Sequence, residues 1–153
     1  MVYSNRGNIS SPQGAFTLIE LLLSIAIIVT LAGFTIPINQ LLNVKNDLDM
    51  ATLSVSQSIR RAQMLSREGA GDSAWGVKLD SGGAILYKGT SYETRDASFD
   101  ENTPYSSAIV ASGLDDISFS KLDGAPQDTG SIRLEVKPYE KNITINEKGT
   151  VSY

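Results

Sequence analysis

The chain has neither cysteine nor histidine among its 153 residues. Without cysteine there is no disulfide framework, no thiolate zinc site and no thiol nucleophile. Without histidine, the Ser-His-Asp and Cys-His triads, the His-bearing zinc sites and the usual neutral-pH proton shuttle cannot be assembled. Most enzyme classes fall away, so the chain is expected to be non-enzymatic and without a cofactor. A surplus of positive charge is missing too. Thirteen basic residues against 17 acidic ones give a net charge of −4, which is no footprint for nucleic-acid phosphates and no general attraction to anionic lipid.

What the chain does have is a long apolar run. From 16 to 38 the only charged residue is Glu20, and the polar residues Thr17, Ser24, Thr30 and Thr35 can return their hydroxyls to a helix backbone. At about 1.5 Å per residue such a helix spans roughly 30 Å, the thickness of a hydrocarbon core. The run ends in "FTIPINQ", which offers no small-x-small cleavage site of a secretory signal. Arg6 precedes it without an acid, and Asp47 and Asp49 follow it, a bias toward a cytoplasmic N-terminus. Glu20 has a local explanation, because Thr17-x-x-Glu20 fits a capping box with Phe16 and Leu21 as a hydrophobic staple. It is also costly: a carboxylate held in lipid calls for a counter-charge.

Beyond Pro37 a stripe of Leu41, Val44, Leu48, Ala51, Val55, Ile59, Ala62 and Leu65 recurs at three- and four-residue intervals, the mark of an amphipathic helix. Gly69 and Gly71 are plausible terminators, so the helix is expected over about 16–68, roughly 80 Å in all. Short β-type runs follow: "AWGVKL", "AILYKG", "SAIVAS", "DISFSKL", "GSIRLEV", "NITIN" and "TVSY". Ile132, Leu134 and Val136 alternate strictly, as in a half-buried antiparallel strand. Residues 90–106 show no such alternation and read as a connecting loop ordered by Tyr92, Phe99 and Tyr105. A helix packed on an antiparallel sheet is the expected α+β architecture.

The string "GAFTLIELLLSIAIIVTLAGFTIP" resembles the type IV prepilin family, including the pseudopilins of type II secretion and competence systems. The resemblance implies a leader peptide at 1–15, cut on the cytoplasmic side by a prepilin peptidase that methylates the new amine. Gly14 and Ala15 leave two cleavage points open. Counting from Phe16 makes Glu20 the fifth mature residue and Pro37 the twenty-second, two family landmarks in one register, so cleavage between Ala15 and Phe16 is preferred. It further implies a transmembrane and filament-core helix at 16–38, an amphipathic half at 39–68 and a sheet domain at 69–153, with Glu20 pairing to a neighbour's Phe16 amine. Pro37 crowds the carbonyl of Gly33, and the resemblance implies local melting there on assembly. The implied partners are other pilin or pseudopilin subunits, the prepilin peptidase, an inner-membrane assembly platform and, before assembly, the lipid bilayer. The implied location is the cytoplasmic membrane, single-pass, and then an extracellular or periplasmic filament.

The strings "SIRRAQMLSREG", "WGVKL" and "NEKGTVSY" are similar, more loosely, to H-type minor pseudopilins, so a minor pseudopilin of a secretion or competence system stands as one alternative. A signal-anchored extracytoplasmic binding domain stands as another. Ser118-x-x-Lys121 has the nucleophile spacing of penicillin-binding enzymes but lies in a strand pattern that splits the two residues between faces. Asp96, Asp100, Glu101, Asp115, Asp116, Asp123 and Asp128 read as solvated turn acids in preference to calcium ligands, because no twelve-residue calcium loop is present. Arg60, Arg61 and Arg67 read as helix-end charge in preference to a DNA patch. Asn142-Ile143-Thr144 is a glycosylation sequon by spacing, and Trp75 is expected in the core.

Overall fold

Among the described residues a single α-helix, α1, occupies Leu18–Arg67 and precedes every strand. The computed structural model describes residues 16–153, with side chains throughout except at 34–42. The chain divides into two compact units, one ending at Asn39 and the other running from Gln40 to Tyr153.

In the first unit the helix starts where its sequence sets a cap. The Glu20 amide donates to Thr17 Oγ1 at 3.3 Å, and the Leu21 amide donates to the Thr17 carbonyl. This is the threonine half of a capping box. Ser24 and Thr30 turn their hydroxyls back onto the carbonyls of Glu20 and of Ala26 and Ile27, which removes polar donors from the surface of the run. Every large apolar side chain in 16–31 is at least half exposed.

In the second unit α1 buries one face and shows the other. Leu48, Ala51, Val55, Ile59 and Ala62 are buried, while Val44 and Leu65 are partly so; Leu41 lies outside the described side chains. The helix ends at Arg67, and Gly69 adopts the left-handed conformation (φ 63°) with its amide on the Ser66 carbonyl, the glycine stop the sequence predicts. A short 3-10 turn, Ala70–Asp72, leads into the strands.

Among the described residues eight strands form two four-stranded antiparallel sheets. β1 (Trp75–Asp80), β2 (Gly83–Lys88), β3 (Asp96–Pro104) and β5 (Asp116–Phe119) make the first, in the order β3-β2-β1-β5. β4 (Val110–Gly113), β6 (Gly130–Val136), β7 (Tyr139–Ile145) and β8 (Val151–Ser152) make the second, in the order β4-β6-β7-β8. The α+β class is as expected, but the strands do not share one sheet. The chain leaves the first sheet after β3, pairs β4 with β6, and returns when the Leu79 amide donates to the Asp115 carbonyl at 2.7 Å. Alternation tells which face of a strand is buried and not which strand lies beside it. One core nevertheless serves both sheets: Val77, Leu86, Ile117 and Phe119 from the first meet Ile132, Leu134, Ile143 and Ile145 from the second around the buried face of α1.

The expected loop at 90–106 is corrected in its second half, which is β3. Ala84 pairs with Thr103 and Leu86 with Glu101, with a bulge before Lys88 pairs with Asp96. β3 is an edge strand with almost no buried side chain, so its backbone bonds to β2 define it and no hydrophobic alternation betrays it. The three aromatic residues do pack. Tyr92 stands edge-on to Tyr87 at 5.7 Å, Phe99 edge-on to Trp75 at 6.2 Å, and the Tyr105 hydroxyl donates to the Asp80 carbonyl.

Candidate functional site

The residues singled out in the sequence fall into two sets, one on the N-terminal helix and one on the sheet unit. Gly14 and Ala15 lie outside the described residues, as does the side chain of Pro37, whose backbone belongs to α1. Phe16 is exposed just ahead of the helix. The Glu20 carboxylate makes no hydrogen bond or ion pair among the described residues, so the cap at Thr17 forms without it. Gly33 has open space where a side chain would stand, so no neighbour within the described chain requires a glycine there. The arrangement is a helix carrying a continuous apolar surface with one carboxylate in its first turn and no counter-charge to it among the described residues.

Among the described residues no helix is long and apolar enough to cross a membrane. The apolar run that the sequence shows at 16–38 continues into 34–42, whose side chains lie outside those described.

On the sheet unit the candidate groups are spent on the fold. Arg61 makes a two-pronged bond to Glu101 at 2.6 and 2.8 Å, Arg60 donates to the Val151 carbonyl and lies over the Tyr153 ring, and Arg67 donates to the Asp123 carbonyl. These three guanidinium groups tie α1 to β3, β8 and the 120–126 turn. Lys121 pairs with Asp72, not with Ser118, and Ser118 is buried in β5. The bond from Lys78 at 2.7 Å holds the Asp115 carboxyl below its ordinary value, and the bond from Ser120 does the same to Asp123. Asp100 is bound by Arg95, and Asp96 accepts from Ser98. No three acidic groups gather as a metal cage among the described residues. Asn142 and Thr144 face outward on β7 while Ile143 turns into the core. Trp75 is buried as expected, its indole N–H on the Ala70 carbonyl at 2.8 Å.

Two buried polar groups had no signal in the sequence. Ser66 Oγ accepts from the Trp75 amide at 2.9 Å and donates to the Phe119 carbonyl at 3.1 Å, pinning the last turn of α1 to β1 and β5. Tyr87 sends its hydroxyl to Asp116 at 2.6 Å from a ring that is fully buried. A lone serine or tyrosine has no spacing to read.

The described residues form an α+β chain led by a helix whose N-terminal part is an exposed apolar string. Residues 10–36 match the family model described as the prokaryotic N-terminal methylation motif. That motif is characteristic of type IV prepilins and pseudopilins and supports the chain as a prepilin-type substrate of prepilin peptidase. The match takes in Gly14, Ala15, Phe16, Glu20 and Gly33 and stops one residue short of Pro37. No curated protein and no solved structure matches the chain.

Proposed function

We propose that the chain is a structural, non-enzymatic subunit of a type IV pilus or related filament. Prepilin peptidase cuts it between Ala15 and Phe16 and methylates the new amine. It rests in the cytoplasmic membrane with its N-terminus inside, then leaves the bilayer and packs by α1 against other pilin or pseudopilin subunits on an inner-membrane assembly platform, with the sheet unit at the filament surface.

The observation that carries this reading is the unburied apolar surface of residues 16–31, with Glu20 unpartnered inside it among the described residues. Each such side chain gains about 1.5–3 kcal/mol when it leaves water, so the segment calls for lipid or for other helices. A carboxylate in that surface calls for a cation, and the amine of a neighbour's Phe16 is one that the methylation motif creates. Loosening between Gly33 and Pro37 would let the helix adapt as it moves from lipid to filament.

The test is mass spectrometry of the protein taken from its native membrane. N-methylated Phe16 is the expected first residue. An intact Met1 beside an active prepilin peptidase overturns the reading in favour of a signal-anchored binding domain.

A further inference from the structure

We propose that β4 is a docking edge for a second copy of this chain, the two β4 strands pairing antiparallel about a twofold axis at Ala111 and joining two four-stranded sheets into one. The contact is symmetric and closes on itself, so it links chains that are not successive subunits of one filament. It stands or falls apart from the filament reading.

An edge strand offers unpaired amides and carbonyls to any chain that reaches it, and folded proteins blunt such edges with charge, proline, bulges or cover. Among the described residues, three of the four sheet edges are blunted. β3 carries Asp96, Asp100 and Glu101, a bulge and Pro104. β5 is met by the returning chain, with Pro126 bridged to Phe119 and the Gln127 amide on the Ser118 carbonyl. β8 is two residues long, and Arg60 takes its Val151 carbonyl. β4 is different: residues 105–114 hold no charge and no proline. A cavity of about 260 Å³ opens between Ala111 and Ser112 and the end of β1 at Leu79 and Asp80.

The edge is complementary to itself. The Leu114 amide donates to the Ser131 carbonyl, and the register on β6 pairs Val110 with Glu135 and Ser112 with Arg133. Bonded pairs alternate along an antiparallel ladder, so Val110 and Ser112 turn their backbone groups to β6. Each planar peptide sets its N–H opposite its C=O, which aims the Ile109 carbonyl, both backbone groups of Ala111 and the Gly113 amide away from β6. Centred on Ala111, two copies exchange two bonds between the Ala111 residues, and the Gly113 amide of each meets the Ile109 carbonyl of the other. The side chains suit the same register. Ile109 is buried and Ala111 packs on the core, while Val110 is 63 % exposed and Ser112 faces out. Val110 of each copy thus lies against Ser112 of the other, and Asp115 falls level with an uncharged residue, Ser107.

The chain has no cysteine, so thiols can be placed one at a time. Val110 and Ser112 of opposite copies form a non-hydrogen-bonded pair with Cα atoms about 4.5 Å apart, within disulfide reach. Full-length Val110→Cys and Ser112→Cys chains, co-expressed in the native host and gently oxidised, should give several-fold more disulfide dimer than Val110→Cys with Thr144→Cys, an exposed site on β7. No excess over that control overturns the proposal, whereas the filament reading is judged separately by recovery of the unsubstituted chain in sheared filaments. If the thiol variants do not accumulate, Val110→Lys and Ala111→Pro decide. Each blunts the edge without removing a bond to β6, so the unfolding midpoint should hold while the light-scattering mass of the detergent-solubilised chain falls from dimer toward monomer. An unsubstituted chain that is monomeric at its highest soluble concentration, or a dimer that survives both substitutions, overturns the pairing.

Discussion

Tyr87 holds the second unit together at one point where burial and charge act on the same atom. Its phenol donates to Asp116 Oδ1 at 2.6 Å, and the other oxygen of Asp116 accepts from the Tyr92 amide at 3.4 Å. Burial first, and the Asp116 carboxylate second, push the phenol above its ordinary value of 10.0. The folded form therefore keeps a proton that the unfolded chain gives up as pH rises past about 10, so stability is complete below that pH and falls above it. Tyr87→Phe removes a hydrogen bond to a charged group and should cost about 1.5–3 kcal/mol at neutral pH, while making the alkaline loss shallower. Urea unfolding of the detergent-solubilised chain, followed by fluorescence of Trp75, its single tryptophan, measures both. An alkaline slope unchanged in the variant would assign the loss to another group.

Among the elements, the first sheet depends on a close approach between β1 and β2. Gly76 stands opposite Tyr87 across that pair and opposite Ser118 on the other side. A Cβ at Gly76 would lie 2.4 Å from the Tyr87 ring and 2.9 Å from the Ile117 carbonyl, and the second contact is backbone that cannot rotate away. Gly76→Ala should therefore destabilise the unit by at least about 1–3 kcal/mol, the usual cost of overpacking, seen as a lower midpoint in the same urea titration; an unchanged midpoint would mean that β1 and β2 can part without loss. The tryptophan-glycine pair was visible in the sequence, but not the aromatic ring that requires the glycine. The same divide runs through the elements at large. β6 was legible because Ile132 and Leu134 face the core while Ser131 and Arg133 face out. β3 was not, because an exposed edge strand is held by backbone bonds common to every residue type. The division into two sheets was not legible either, since it turns on β4 finding β6 across the intervening chain.

At the scale of the whole molecule the two units differ in how they use charge: the second spends part of its charge on internal pairs such as Arg61 with Glu101 and Arg95 with Asp100, while Glu20 in the first has no partner among the described residues. That is why the candidate site was readable as a string of letters. An exposed helix takes its chemistry from the order of its side chains, with no tertiary fold to bring distant residues together. It also separates the two accounts of Glu20. The capping account allows the carboxylate only a favourable place in the first turn, about 0.3–1 kcal/mol, and the Thr17 bond that begins the helix comes from the Glu20 backbone, which any residue supplies. The pairing account makes the negative charge itself the requirement. Glu20→Ala and Glu20→Gln should both keep cleavage at Phe16 and leave the unfolding midpoint of the second unit unchanged within about 0.5 kcal/mol. Both should nonetheless fall in the share of the chain recovered in sheared filaments against that left in the membrane. Glutamine retains the polar contacts and length of glutamate without its charge. Normal incorporation of Glu20→Gln would therefore remove the ion pair from the mechanism.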